Sequence, residues 1–301
     1  MKNMRITTAE LARSVGVSQG TVDRALNNRG GINAETKKKI LAAAAHYGFR
    51  KQIGNEKSDR VGNSQIGVIV FNLNNRYFSS LIADIENECR KIGYSIVVMF
   101  TDYDPKTEIE CIKRMYNIGV SGVVLFSVNS GADFVNFIKE TGMPTVCVGN
   151  RVPGIRYVGI DDFAAMRTVT ESVLDFSNIL YFSPALNYES AYAQKRRFEG
   201  YSAAIESMGR EVRAICREED IAPHYDDTAI ICSTDYYALK VYFKTSGAKI
   251  IGFDNIDILD DYKIPISSVA YSSKKIAHEA VKSITESRTE DVIVDYSIIW
   301  R

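Results

Sequence analysis

The side chains along this 301-residue chain that could do chemistry are not arranged for catalysis. His46, His224 and His278 are scattered without relay or ligand spacing, and no G-x-S-x-G elbow, G-x-G-x-x-G fingerprint or phosphate-binding loop occurs. The acidic pairs Asp161-Asp162, Asp226-Asp227 and Asp260-Asp261 read as helix caps and solvated turns, so no enzymatic activity is expected. What stands out is a set suited to reading a surface: Gln19, Gly20, Asp23, Arg24 and Asn27 share one side of a short helix.

Local signals place that helix. Thr7-Thr8-Ala9-Glu10 is a capping box that starts a first helix with Leu11, Ala12 and Val15 inward. Gly16 makes the turn, and Ser18 caps the second helix, whose Val22, Ala25 and Leu26 face the core. Asn33 caps a third helix over residues 34–47, stopped by Gly48, with Ile40, Leu41 and Ala44 as its buried stripe. Three short helices with a glycine turn between the first two predict a helix-turn-helix whose second helix enters a major groove. The alternative, a small accessory bundle, fits the charge poorly. Residues 1–60 hold twelve basic and five acidic residues, a net +7, so the other 241 carry −7 and the overall zero is an average of unlike parts.

Residues 50–64 are polar and read as a linker. Beyond them, apolar β-rich runs at 66–71, 95–100, 122–126, 145–148, 179–182, 229–232 and 250–253 alternate with helical stretches at 79–92, 106–118, 132–141, 162–174, 193–207, 236–244 and 273–287. Further strand-like runs lie at 267–270 and 296–300. This alternation predicts parallel sheets covered by helices on both faces, in two lobes with a cleft. Ligands of such sheets sit beyond the carboxyl ends of the strands, which puts the loops after Phe71, Phe126, Val148, Cys232 and Phe253, with Asn72 and Phe126 themselves, around one site. Five widely spaced cysteines without a C-x-x-C pair suggest neither a disulfide framework nor a metal site. With no signal-peptide run and no stretch of about 20 apolar residues, a cytoplasmic protein without membrane contact or cofactor is expected.

Two blocks of residues carry a family resemblance. The first is Ala12-Arg13-Ser14-Val15-Gly16-Val17-Ser18 with Thr21-Val22, Arg24-Ala25-Leu26-Asn27 and Tyr47-Gly48-Phe49; the second is Ile66-Gly67-Val68, Arg197-Phe198-Glu199-Gly200-Tyr201 and Gly252-Phe253-Asp254-Asn255. In order and spacing the whole chain resembles the LacI/GalR family of bacterial transcriptional regulators. The resemblance implies an all-α headpiece at 1–49, a linker or hinge at 50–64 and an α/β, periplasmic-binding-protein-like body of type I at 65–301. The N-lobe is expected at about 65–161 and 272–290, and the C-lobe at about 162–271 and 291–301. It implies a homodimer on a palindromic double-stranded DNA operator, with a sugar or nucleoside-like effector in the cleft; the helix at 79–92 and its counterparts in both lobes are expected in the dimer interface.

The resemblance places the family's base-reading positions on Gln19, Gly20 and Arg24, with Thr7, Ser18, Thr21, Asp23, Asn27 and Asn33 in the DNA-contacting set; Arg can bridge guanine O6 and N7 and Gln can pair with adenine, each worth about 1–3 kcal/mol of base discrimination, whereas Gly20 reads nothing by side chain. Asp23 either faces a cytosine amino group, orients Arg24 or is simply solvated. In the family the linker forms a helix that wedges a leucine into the minor groove, but here that register falls on Ser58 and no leucine wedge is expected. Arg197 matches the position that holds ligand, with Asp254 as an acceptor across the cleft, against the competing roles of a surface cation and a helix cap. Gly149 and Asn150 follow the Pro144 strand and Thr234 precedes Asp235, making the pocket less acidic than in many sugar sensors. Tyr77, Phe78 and Tyr271 offer flat rings to a pyranose or a base. The runner-up is a DNA-binding regulator whose body senses a protein partner or a non-sugar metabolite; a transport solute-binding protein would not need the basic head.

Overall fold

The computed structural model describes residues 8–26, 30–46, 64–184, 192–286 and 288–301. The chain divides into two compact units, Met1–Arg60 and Val61–Arg301. Thr7, Asn27 and the linker with Ser58 lie outside the described residues, as do Tyr47 and Gly48 at the end of the third helix.

In the first unit, α1 (Thr8–Val15), α2 (Gln19–Leu26) and α3 (Ala34–His46) enclose a core of Leu11, Ala12, Val22, Ala25, Ile40 and Ala44. Gly16 takes φ 72°, the left-handed conformation that lets α2 leave at a sharp angle. The Ser18 hydroxyl accepts from Thr21 N at 3.2 Å, and Asn33 Oδ1 accepts from Glu35 N at 2.8 Å, so both starts are capped. Leu41 is not in the stripe predicted for α3 but 44% exposed. Ile40 and Ala44 are one turn apart and share the inner face, and Leu41 is rotated about 100° from Ile40.

The body strings β1 (Gln65–Val70), α4 (Arg76–Lys91), β2 (Ser95–Phe100), α5 (Pro105–Ile118), β3 (Gly122–Leu125), α6 (Ala132–Thr141), β4 (Thr145–Val148) and β5 (Arg156–Gly159) into one lobe. A second follows: α7 (Asp162–Glu171), β6 (Asn178–Phe182), α8 (Tyr192–Ser207), β7 (Ala214–Ile215), β8 (Thr228–Cys232), α9 (Asp235–Tyr242), β9 (Lys249–Phe253), α10 (Ile258–Asp261) and β10 (Ser267–Tyr271). Then α11 (Ser273–Thr285) returns to pack on α4, β11 (Val292–Ile293) joins the first sheet and β12 (Tyr296–Ile299) the second. The sheet orders are β11-β5-β4-β3-β1-β2 and β12-β10-β9-β8-β6-β7, every pairing parallel except β10 with β12.

The chain therefore crosses between lobes three times, after β5, after β10 and after β11. The last crossing follows Ile293 instead of preceding 291, because Val292 and Ile293 pair with Val158 and Gly159. Central strands such as β1 and β3 are buried on both faces, which explains their unbroken apolar runs. Among the described residues no helix is long and apolar enough to cross a membrane.

Candidate effector cavity and DNA-facing helix

The Arg197-Phe198-Glu199-Gly200-Tyr201 run shows how local sequence aims a functional group. On α8, a Cβ at Gly200 would stand 2.2 Å from the Phe163 carbonyl oxygen, so only glycine lets α8 lie this close to α7. Tyr201, fully buried, anchors the helix by donating to the carbonyls of Ile179 (3.1 Å) and Arg213 (2.9 Å). Thus seated, α8 turns Arg197 into the cleft at the carboxyl ends of the strands, where a cavity of about 460 Å³ opens between the lobes.

Arg197 is the hub. Its Nε donates to Asp162 Oδ1 at 2.7 Å, its Nη1 donates to the Ser233 carbonyl at 2.6 Å and stands 3.8 Å from Asp254 Oδ1, and its guanidinium lies over the Phe253 ring at 3.6 Å. All three charged side chains are less than a tenth exposed. Asp254 also accepts from the Tyr271 hydroxyl (2.8 Å) and from Asn75 Nδ2 (3.3 Å). Burial raises its carboxyl to about 6 despite the neighbouring guanidinium, and burial likewise raises that of Asp162. Asp254 and Asn255 adopt φ 105° and 47°, an uncommon backbone for residues with a Cβ, held by Asp254 N to the Val269 carbonyl and Asn255 N to Ser268 Oγ, both 3.0 Å.

Of the nine residues expected at the effector site, eight line this cavity: Asn72, Tyr77, Phe78 and Asn150 from the first lobe, Arg197, Thr234, Asp254 and Tyr271 from the second. Phe126 does not. It is fully buried behind the lining, edge-on to Phe71 at 6.3 Å and to Phe78 at 5.6 Å, because the strand end continues into the core. One further expectation changes. Asp254 is not across the cleft from Arg197 but on the same lobe, since β9 and α8 both belong to the second sheet's layers. Three carboxylates, Asp102, Asp162 and Asp254, line the cavity.

Asp162 was hidden in the Asp161-Asp162 pair. Asp161 is the cap, accepting from Ala164 N at 3.0 Å, while Asp162 turns inward to Arg197. The signal that could have separated them was β5, a four-residue strand whose end these residues follow. Gln194, three residues before Arg197 on α8, also lines the cavity; the helical spacing from Arg197 could have pointed to it. Some expected residues already have work within the fold. The Thr234 hydroxyl accepts from Tyr237 N at 3.4 Å as the cap of α9. Asn150 ties the lobes together, donating to the Ser127 carbonyl at 2.8 Å and accepting from Ala193 N at 3.0 Å. A bidentate Arg76 to Asp257 pair, with Nη2 to Oδ2 at 2.8 Å, joins the lobes beside Asn75.

On the first unit, Gln19, Gly20 and Arg24 are exposed on α2, and Asp23 and Thr21 are half-buried. A Cβ at Gly20 would meet only the Ser18 hydroxyl, at 3.9 Å, so nothing inside the headpiece requires glycine there. Ser18 and Thr21 share a hydroxyl contact at 2.9 Å, and with Asn33 they serve first as helix-start residues.

Comparison with known proteins agrees with both halves. Residues 63–248 match the family described as periplasmic binding proteins and sugar binding domain of LacI family, and residues 7–52 match bacterial regulatory proteins, lacI family. Catabolite control protein A of Priestia megaterium is 25% identical over 98% of this chain and 96% of its own, and the sucrose operon repressor of Staphylococcus xylosus is 22% identical over 99% and 98%. Among solved structures, a LacI-family regulator from Silicibacter pomeroyi superposes with TM-score 0.71 at 21% identity, covering 98% of each chain. The lac repressor dimer bound to operator and the anti-inducer ONPF superposes with TM-score 0.66 at 15% identity, over 99% of this chain and 98% of that one. The chain belongs to the LacI family of bacterial regulatory proteins, with a helix-turn-helix head and a periplasmic-binding-protein-like body.

Proposed function

We propose that the chain is an effector-responsive repressor that binds a two-fold symmetric operator as a homodimer and holds a small, sugar-like molecule in the interlobe cavity. The observation that carries this is the cavity's two-sided wall: Asn72 and Tyr77 come from one lobe, Arg197 and Asp254 from the other. A ligand touching both lobes has an affinity that depends on their closure, and that difference is what can be transmitted to DNA binding. The relatives fit this: one structural neighbour, at TM-score 0.64, is a regulator CelR–cellobiose complex, and another is a repressor dimer on its operator.

On DNA, Arg24 and Gln19 read base edges while Ser18, Thr21 and Asn33, with Thr7 and Asn27, sit near the phosphates. Dimerisation uses α4 and the neighbouring edge strand β2, which leaves Ile92 49% and Phe100 44% exposed, an apolar edge suited to a second copy. Such a regulator acts in the cytoplasm, where its operator is.

Operator titration with and without a cavity ligand tests the reading. Arg24→Ala is expected to weaken operator binding by about 1–3 kcal/mol, concentrated at one base pair, while leaving ligand binding unchanged. A ligand that fills the cavity without changing operator affinity would refute the coupling.

A further inference from the structure

The charged groups around the cavity do not balance. Asp162 and Asp254 are both packed on Arg197, so the buried cluster holds two carboxylates and one guanidinium. Asp102, exposed to solvent, adds a third carboxylate at the lining. Neighbouring cations are engaged elsewhere: Arg196 pairs with Glu199 and lies over Phe163, and Arg301 pairs with Asp260 at 2.7 Å and donates to Asn255 Oδ1 at 2.8 Å.

Two further features point the same way. Gln194 Oε1, shielded from solvent on a lining residue, is an acceptor with no hydrogen-bond partner among the described residues. The cavity is also walled by aromatic rings, with Tyr77 5.5 Å from Tyr271 and 5.6 Å from Phe78, and such faces attract cations. Burial keeps the phenols of Tyr77 and Tyr271 protonated, so these rings add no charge.

Resting on the proposed role of this cavity as the effector site, we infer that the effector is an amine-bearing polyol, an amino sugar with a free ammonium group. A neutral sugar would drive out water and leave the excess carboxylate in a drier cavity, where an uncompensated charge is costly. An ammonium offsets that charge and brings three donors to a wall rich in acceptors. The hydroxyls of the same molecule meet the neutral amides of Asn72, Asn74 and Asn75.

Calorimetry and thermal shift on the full-length protein at pH 7.5 decide the matter with matched pairs: D-glucosamine and D-glucose, D-galactosamine and D-galactose, D-mannosamine and D-mannose. At least one amine should bind tenfold or more tightly than its hydroxyl partner, and its N-acetyl derivative, of like shape without the charge, should fall back to the neutral level. Asp162→Asn should erase the amine's advantage; the N-acetyl comparison gives the same information without a variant. Neutral sugars binding as well as their amines would overturn the inference while leaving the sugar site intact. If no member of either series binds, both the inference and the sugar reading fall.

Discussion

Both lobes bury carboxylates, and Glu108 in the first and Asp254 in the second are held in opposite ways. Glu108 on α5, fully buried, accepts from Ser127 Oγ (2.6 Å), from the backbone N–H groups of Val128 and Asn129 (both 2.9 Å) and from Asn129 Nδ2 (2.8 Å). Four neutral donors, two of them backbone, saturate its oxygens and pin the loop after β3. Asp254 shares one guanidinium with a second carboxylate and faces a cavity. Burial raises both acids, but only at Asp254 is a charge left over for something else to meet. A saturated buried carboxylate is a strut, and an under-compensated one beside an opening is a binding feature.

The comparison breaks most severely at the hub. Arg197→Met keeps the side-chain bulk and leaves Asp162 and Asp254 facing each other without a cation, so urea unfolding at pH 7.5 should show a loss of about 3–5 kcal/mol together with loss of effector binding. Unchanged stability would mean that the pair is neutralised by other means.

Next, conservative amides should separate the strut from the binding group. Glu108→Gln is expected to cost about 1 kcal/mol, because Ser127 Oγ can turn to accept from the new amide, with effector affinity within about twofold of the wild type. Asp254→Asn removes a charge that burial disfavours, so the protein should fold as well or better while effector affinity falls by about tenfold or more. Equal losses of affinity in the two variants would dissolve the distinction.

The smallest effect is a pH trend. Burial, reinforced by Asp254, raises the carboxyl of Asp235 to about 8, against stabilising contacts from Ile256 N, Ser268 and Arg301. Asp254, raised to about 6 by burial, is lowered by Arg197, Tyr271 and Asn75 and raised by Asp162. An acid whose folded value lies above its unfolded one is stabilising while protonated, and that stability is lost as pH rises through the folded value. Thermal melts of the body should therefore rise on going from pH 8 to pH 6, and Asp235→Asn should flatten the rise. A melting temperature that falls over that interval would contradict these assignments.

Most of the framework was legible along the chain. The alternation of apolar runs and helices located the longer strands and helices to within a few residues, since each was long enough to show its own period. The two-residue strands β7 and β11 were not legible, because at that length pairing with a neighbour creates the strand, and composition does not. The site was legible where a position followed a recognisable strand, as for Asn72 and Asp254. It was not where the strand itself was missed, as for Asp162, or where a ring after a strand turned into the core, as for Phe126.

By itself the sequence determined the basic head and acidic body, the caps at Ser18 and Asn33, the glycine turn at Gly16 and the alternation that makes parallel sheets, all governed by contacts within a few residues. Only the tertiary structure decided that Leu41 faces out, that the last lobe crossing follows Ile293 and that Arg197 is shared by Asp162 and Asp254. Arg197 stands 35 residues from Asp162 and 57 from Asp254. No local pattern spans such distances: the charge balance of a buried site is set by which side chains the packing of α7, α8 and β9 brings within a few ångströms.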